Sequence, residues 1–260
     1  MTDGVLINLL IWAYYISRTA SVFIVLALGV VITANRYRPT KVLGISYIIT
    51  SVSAILSLFL SVFQHFGSAE MYSSLQMASS VVMNLCSIGV NVCICLYIHK
   101  NYGMKKIYFP VFIMIAVSWI INMVIIAVVN HSDMDGSNRG FVIAVLMNVA
   151  GLVFSVASSV IIIRAFYINQ QKEKAIPKYW LLSVITLFWS AFTSSLNIIN
   201  YLVLLQKYGS NGTPNPTGIA GFWLTNQNII FTLTGIAGAA ISLIIPIYIV
   251  RMIHRVNRAS

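Results

Sequence analysis

Long apolar runs separated by short polar breaks dominate the chain from end to end. Seven such runs can be marked, over about residues 7–34, 42–66, 75–98, 107–129, 141–166, 179–205 and 222–250. A helix needs roughly 20 mostly apolar residues to cross about 30 Å of hydrocarbon, and each run supplies that. The runs and their connections use up the 260 residues. The expectation is therefore an all-α membrane protein: one seven-transmembrane helix bundle over 1–260, with no attached soluble catalytic domain. The first run is the longest problem. From Val5 to Ala34 it would extend about 45 Å as one helix, more than the hydrocarbon needs, so it should tilt or project.

Composition sharpens this picture. Charged residues make up 8% of the chain and hydrophobic ones 59%, whereas soluble domains carry about 25% charged residues. The net charge of +11 does not point to nucleic acid, because the charges sit in short loops between apolar runs. Thirteen of the 16 Lys and Arg fall on one side of an alternating topology: Arg36, Arg38, Lys41, Lys100, Lys105, Lys106, Arg164, Lys172, Lys174, Lys178, Arg251, Arg255 and Arg258. Only Arg139, Lys207 and Arg18 fall elsewhere, and of the acids only Glu173 joins the basic side. Short cytoplasmic loops are enriched in Lys and Arg, which sets the N-terminus outside and the C-terminus in the cytosol. Met1-Thr2-Asp3-Gly4 lacks the basic start of a cleaved signal peptide. Two Asn-x-Ser/Thr sequons, at Asn130 and Asn211, fall in loops expected outside, in keeping with a multi-pass plasma-membrane protein.

Ionisable groups are nearly absent from the apolar runs, and this narrows the chemistry. No Asp, Glu or Lys lies within them away from their ends. That argues against an intramembrane aspartyl protease and against a retinal Schiff base on the seventh run. His65, His99, His131 and His254 are scattered at run ends, in a loop and in the tail, without metal-ligand spacing. Cys86, Cys93 and Cys95 share one apolar run and read as small hydrophobes. The expectation is a protein that is not an enzyme and carries no metal or other cofactor.

What remains is one arginine and a set of uncharged polar residues at depth. A charge at the bilayer centre costs about 2.5–3.5 kcal/mol on insertion scales, so Arg18 should either snorkel to the surface or face the bundle. Asn84, Trp189, Asn197, Asn226 and Gln227 join it as candidate ligand-binding residues, on a polar cavity expected between the third, fifth, sixth and seventh helices. The alternative for such residues is interhelical hydrogen bonding, worth about 0.6 kcal/mol on average. Gly235, Gly238 and the neighbouring alanines should let helix backbones approach closely, and Pro246 should kink the seventh helix.

Seven spans with basic inner loops resemble a G-protein-coupled receptor. The rhodopsin-type signatures are missing: the third run ends Cys95-Leu96-Tyr97-Ile98-His99-Lys100, and the sixth has no proline. Arg18, followed by an apolar stretch and then Asn35-Arg36-Tyr37-Arg38-Pro39, is similar to the first span and first inner loop of the fungal alpha-factor-type pheromone receptors. Ser87-Ile88, Lys105-Lys106-Ile107 and Tyr179-Trp180-Leu181-Leu182 resemble other stretches of that family. The chain departs from it in the sixth span and in lacking a Gly-x-x-x-Gly pair in the first.

That resemblance implies a receptor for an extracellular ligand, a peptide in the family, coupled to a heterotrimeric G protein in a pheromone response. Arg36, Arg38, Lys100, Lys105, Lys106, Arg164, Lys172, Lys174, Lys178 and Arg251 would form the partner surface, although holding loops inside explains the same charges. The other expected partner is the lipid bilayer, with homodimerisation left open. The alternative function is a transporter or channel for an uncharged small solute. Its expected repeat, with matching helix-breaking prolines, is not seen, since Pro110 and Pro246 do not correspond.

Overall fold

A computed structural model describes residues 2–35, 40–66, 69–132, 136–169, 179–209 and 218–259. Those residues form seven α-helices: α1 (Thr2–Ala34), α2 (Lys41–Phe66), α3 (Ala69–Tyr102), α4 (Tyr108–Asn130), α5 (Gly136–Ile168), α6 (Tyr179–Gly209) and α7 (Ile219–Ala259). A 3-10 turn, Lys105–Ile107, leads into α4. Among the described residues, six of the helices, α1, α2, α4, α5, α6 and α7, hold a stretch long and apolar enough to cross a membrane. Hydrocarbon offers no hydrogen bonds, so a lipid-exposed backbone must satisfy its own groups, which long helices do. The chain is thus an all-helical, multi-pass membrane protein.

Its surface agrees. Phe109 is 74% exposed, Phe188 72% and Trp12 67%, values suited to contact with lipid tails rather than water. The exposed face of α4 continues through Ile120, Met123 and Val128. Local signals end the helices where the sequence breaks. Gly103 adopts φ 71°, a left-handed conformation that glycine enters without strain, and its N–H closes α3 on the His99 carbonyl at 2.9 Å.

Neighbouring helices in the chain are neighbours in space. α1 packs along both α2 and α7, α2 along α3, α4 along α5, α5 along α6 and α6 along α7, while α3 touches α4 and α5 only lightly. At the α1–α2 crossing backbone lies close to backbone. A Cβ added to Gly29 would lie 3.1 Å from the Gly44 carbonyl oxygen, and one added to Gly44 would lie 2.6 Å from the Thr33 nitrogen and overlap its hydroxyl. Thr33 is itself tied down, donating to the Gly29 carbonyl at 2.8 Å. Small residues on facing helices let backbones pack by dispersion where no hydrophobic force acts between them.

The two ends of the bundle differ. Ile32, Leu43, Cys95, Tyr97, Ile98, Ile107, Val111, Phe166, Tyr179 and Ile249 form one continuous buried core. Because it gathers the last turns of α1, α3, α5 and α7 with the first turns of α2, α4 and α6, the helices alternate in direction. Lys100, Lys105, Lys106, Arg164 and Arg251 surround this core, all exposed; it is called the basic end below. The far end holds a smaller cluster of Leu196, Val203, Ala220 and Trp223.

Candidate functional site

A chamber of about 830 Å³ opens between α1, α6 and α7, on the far-end side of the bundle's middle. Its walls combine Tyr14, Arg18 and Val22 from α1, Trp189, Thr193 and Asn197 from α6, and Asn228, Phe231, Thr232 and Gly235 from α7. Ligand pockets typically measure about 300–1,000 Å³ and are mostly apolar with a few placed polar groups, so this volume and lining suit a small molecule.

Among the described residues of the wall, Arg18 is the one that carries a charge. Its side chain faces the bundle: Nη1 donates to the Tyr14 hydroxyl at 2.6 Å and Nη2 to Ser57 Oγ on α2 at 3.3 Å. The guanidinium also lies 5.8 Å from the centre of the Tyr14 ring, within reach of a cation–π attraction. On the same helix, the nearest acid in sequence is Asp3, about 22 Å away along the axis.

The glycines of α7 make room for this wall. A Cβ on Gly235 would overlap the Tyr14 ring, and one on Gly238 would sit 3.0 Å from Trp189 Nε1. The small-residue patch, expected to bring helix backbones together, thus seats two aromatic side chains instead.

A second chamber of about 320 Å³ lies deeper, toward the basic end, between α1, α2, α6 and α7. It meets the first at Ser21, Val22 and Ser242, which line both. Val25, Ala54 and Ile245 make it largely apolar. Four of its hydroxyls are spent on their own helices: Ser21 on the Arg18 carbonyl, Thr50 on Ser46, Thr186 on Ser183 and Ser242 on Ala239. Ser51 is different. It is 1% exposed, and its Oγ has no hydrogen-bond partner among the described residues. Pro246, enclosed within α7, has no N–H, so the Ser242 carbonyl at the junction also lacks its helical donor.

Below the second chamber the bundle closes. The hydroxyl of Tyr47, another wall residue, shares a hydrogen bond with that of Tyr179. The Tyr179 ring lies 4.5 Å from Phe166, which packs 5.8 Å from Tyr97 and 5.9 Å from Tyr102. These four rings plug the basic end.

Of the candidate ligand-binding residues, Arg18, Trp189 and Asn197 come together on the first chamber. Asn226 does not: it lies on the opposite side of α7 from Asn228, Phe231 and Gly235, by the 3.6-residue period, and donates to the Phe222 carbonyl of its own helix. Gln227 is not among the lining residues either. The side chain of Asn84 lies outside the described residues, as do Arg36, Arg38, Lys172, Lys174 and Lys178. The first chamber lies against α1, with α6 and α7, and none of its lining residues comes from α3 or α5. Tyr14, Asn228 and Ser51 are not among the candidate ligand-binding residues; Asn228 carries a signal in the sequence, as one of the polar residues of the seventh apolar run. No known family model, curated protein or solved structure matches the chain, so function is argued from these residues alone.

Proposed function

We propose that the chain is a seven-span cell-surface receptor, N-terminus outside, that admits a small extracellular ligand between α1, α6 and α7 and signals through a heterotrimeric G protein. The observation that carries this reading is the one-sidedness of the interior: a polar-walled chamber toward the far end and an aromatic plug at the basic end. The distribution of Lys and Arg supports setting the basic end in the cytosol.

In this reading a ligand filling both chambers presses on Tyr47 and loosens its hydrogen bond to Tyr179. Tyr179 opens α6 and Phe166 lies near the end of α5, so that loss lets the two helix ends part. Exposed Lys100, Lys105, Lys106, Arg164 and Arg251 then steer an acidic partner surface, aided by Arg36, Arg38, Lys172, Lys174 and Lys178 in the connecting segments. Such rim charges act mainly on association rate and specificity.

The test is co-purification of the detergent-solubilised protein with a heterotrimeric G protein, with and without a non-hydrolysable GTP analogue. A complex that forms without nucleotide and dissociates with the analogue is expected. Solute flux into liposomes with no nucleotide-sensitive complex would move the protein to the carrier class, which shares a one-sided cavity.

A further inference from the structure

The two chambers have complementary chemistry. The first offers a cation whose surroundings leave it underused. Arginine carries five N–H donors; of these, Tyr14 and Ser57 take two, which leaves three with no acceptor among the described residues. The second chamber is largely apolar, and where the hydroxyls of Ser21, Thr50, Thr186 and Ser242 are spent on their own helices, the enclosed Ser51 hydroxyl is likewise unsatisfied among the described residues. An unmade hydrogen bond on a buried group is unfavourable, which applies to Ser51, and the half-buried Arg18 adds a charge, so an occupant that supplies acceptors suits both.

Their offset along the bundle axis follows from α2. Ser57, which touches Arg18, lies six residues and hence about 9 Å beyond Ser51 along that helix. Val22, common to both chambers, and Val25 and Ile245 beyond it line the way between the two polar points.

We propose that the joined chambers bind a single-chain amphiphilic carboxylate bearing a hydroxyl or carbonyl about 9 Å from its carboxylate. The carboxylate takes the free edge of the Arg18 guanidinium, the methylene body lies along Val22, Val25 and Ile245, and the distal oxygen pairs with the Ser51 hydroxyl once rotation about its Cα–Cβ bond turns it from the wall into the chamber. This deepens the ligand-cavity reading and rests on it, but not on G-protein coupling.

The probe is tritiated 8-hydroxyoctanoate, bound to the full chain in phosphatidylcholine nanodiscs with empty discs subtracted. Saturable binding is expected, displaced at least ten-fold less effectively by 1,8-octanediol, which lacks the charge, and about ten-fold less effectively by octanoate, which lacks the distal hydroxyl. Ser51→Ala should erase the preference over octanoate while octanoate still binds. Arg18→Gln should erase the preference over the diol. The wild-type displacement order needs no variant, so a variant that fails to fold leaves the experiment decisive. Equal displacement by all three compounds, or no saturable binding, overturns the proposal. So does loss of binding in phosphatidylglycerol discs, which would mean that an anionic lipid headgroup holds Arg18. Absence of binding alongside a nucleotide-sensitive G-protein complex removes this ligand class alone; binding without that complex removes the signalling reading alone.

Discussion

The basic end and the chamber side of this bundle are built from similar residues with opposite results. Both use aromatic rings and small residues on long apolar helices. At the basic end Tyr97, Tyr102, Phe166 and Tyr179 pack against one another and fill the space between the helix ends. On the other side Tyr14 and Trp189 pack against glycines of α7 and stand apart, with a space of about 830 Å³ between the helices. Lipid tails are as apolar as a leucine side chain, so contact area, rather than escape from water, holds membrane helices together. Where rings fill the gap, helix ends are fixed; where glycines hold rings back against their own helix, the interior stays open.

The largest effect should come from emptying the plug. Phe166 is 2% exposed and touches three tyrosine rings. Phe→Ala in a protein core costs about 3–5 kcal/mol through lost contacts and a residual cavity. Phe166→Ala should therefore lower the melting temperature in detergent more than any chamber substitution, and in the receptor reading should raise ligand-independent G-protein association. An unchanged melting temperature would mean that the plug is not the tight region of the molecule.

The second effect lies at the α1–α2 crossing, beside Ile32 and Leu43 of the basic-end core. Leucine at position 44 would meet Thr33 backbone and hydroxyl atoms with no room to yield. Overpacking of this kind costs about 1–3 kcal/mol, and Gly44→Leu should lower the melting temperature accordingly. Gly151→Ala serves as its control, since a Cβ there meets nothing within 4 Å. Equal shifts from the two substitutions would count against a close crossing.

Much of this architecture is legible in the residues, for reasons that differ by element. The apolar runs mark the helices because their length and the rarity of charge follow directly from the solvent. Arg18, Trp189 and Asn197 stand out for the same reason, as costly or amphipathic groups at depth. Asn226 stands out equally but faces away from the chamber, since composition alone does not fix the rotation of α7. Which helices enclose the space depends on neighbour relations, and those come from contacts such as Gly29 with Gly44, which no pattern within one helix reveals. Ser51 was invisible for a further reason: its interest lies in the partner it lacks, and its neighbours in sequence include other hydroxyls that are satisfied.

The smallest stability effect, and the most informative contrast with Gly44, is expected at Gly235. Here too an added Cβ collides, but with the flexible ring of Tyr14 rather than with backbone. That ring borders the open chamber and can rotate into it, so Gly235→Ala should change the melting temperature far less than Gly44→Leu. The cost should appear in binding instead. A displaced Tyr14 narrows the chamber and withdraws the hydroxyl that holds Arg18 Nη1 at 2.6 Å. Affinity for 8-hydroxyoctanoate should then fall while thermal stability is kept. Tyr14→Phe, which removes the hydroxyl but retains the ring, separates the two causes: if loss of the Arg18 anchor matters, it reproduces the binding defect, and if lost volume matters, it does not. A Gly235→Ala protein as unstable as Gly44→Leu would show that the α1–α7 contact is as rigid as the α1–α2 crossing, and the distinction between a packed and an open side would fail at its central residue.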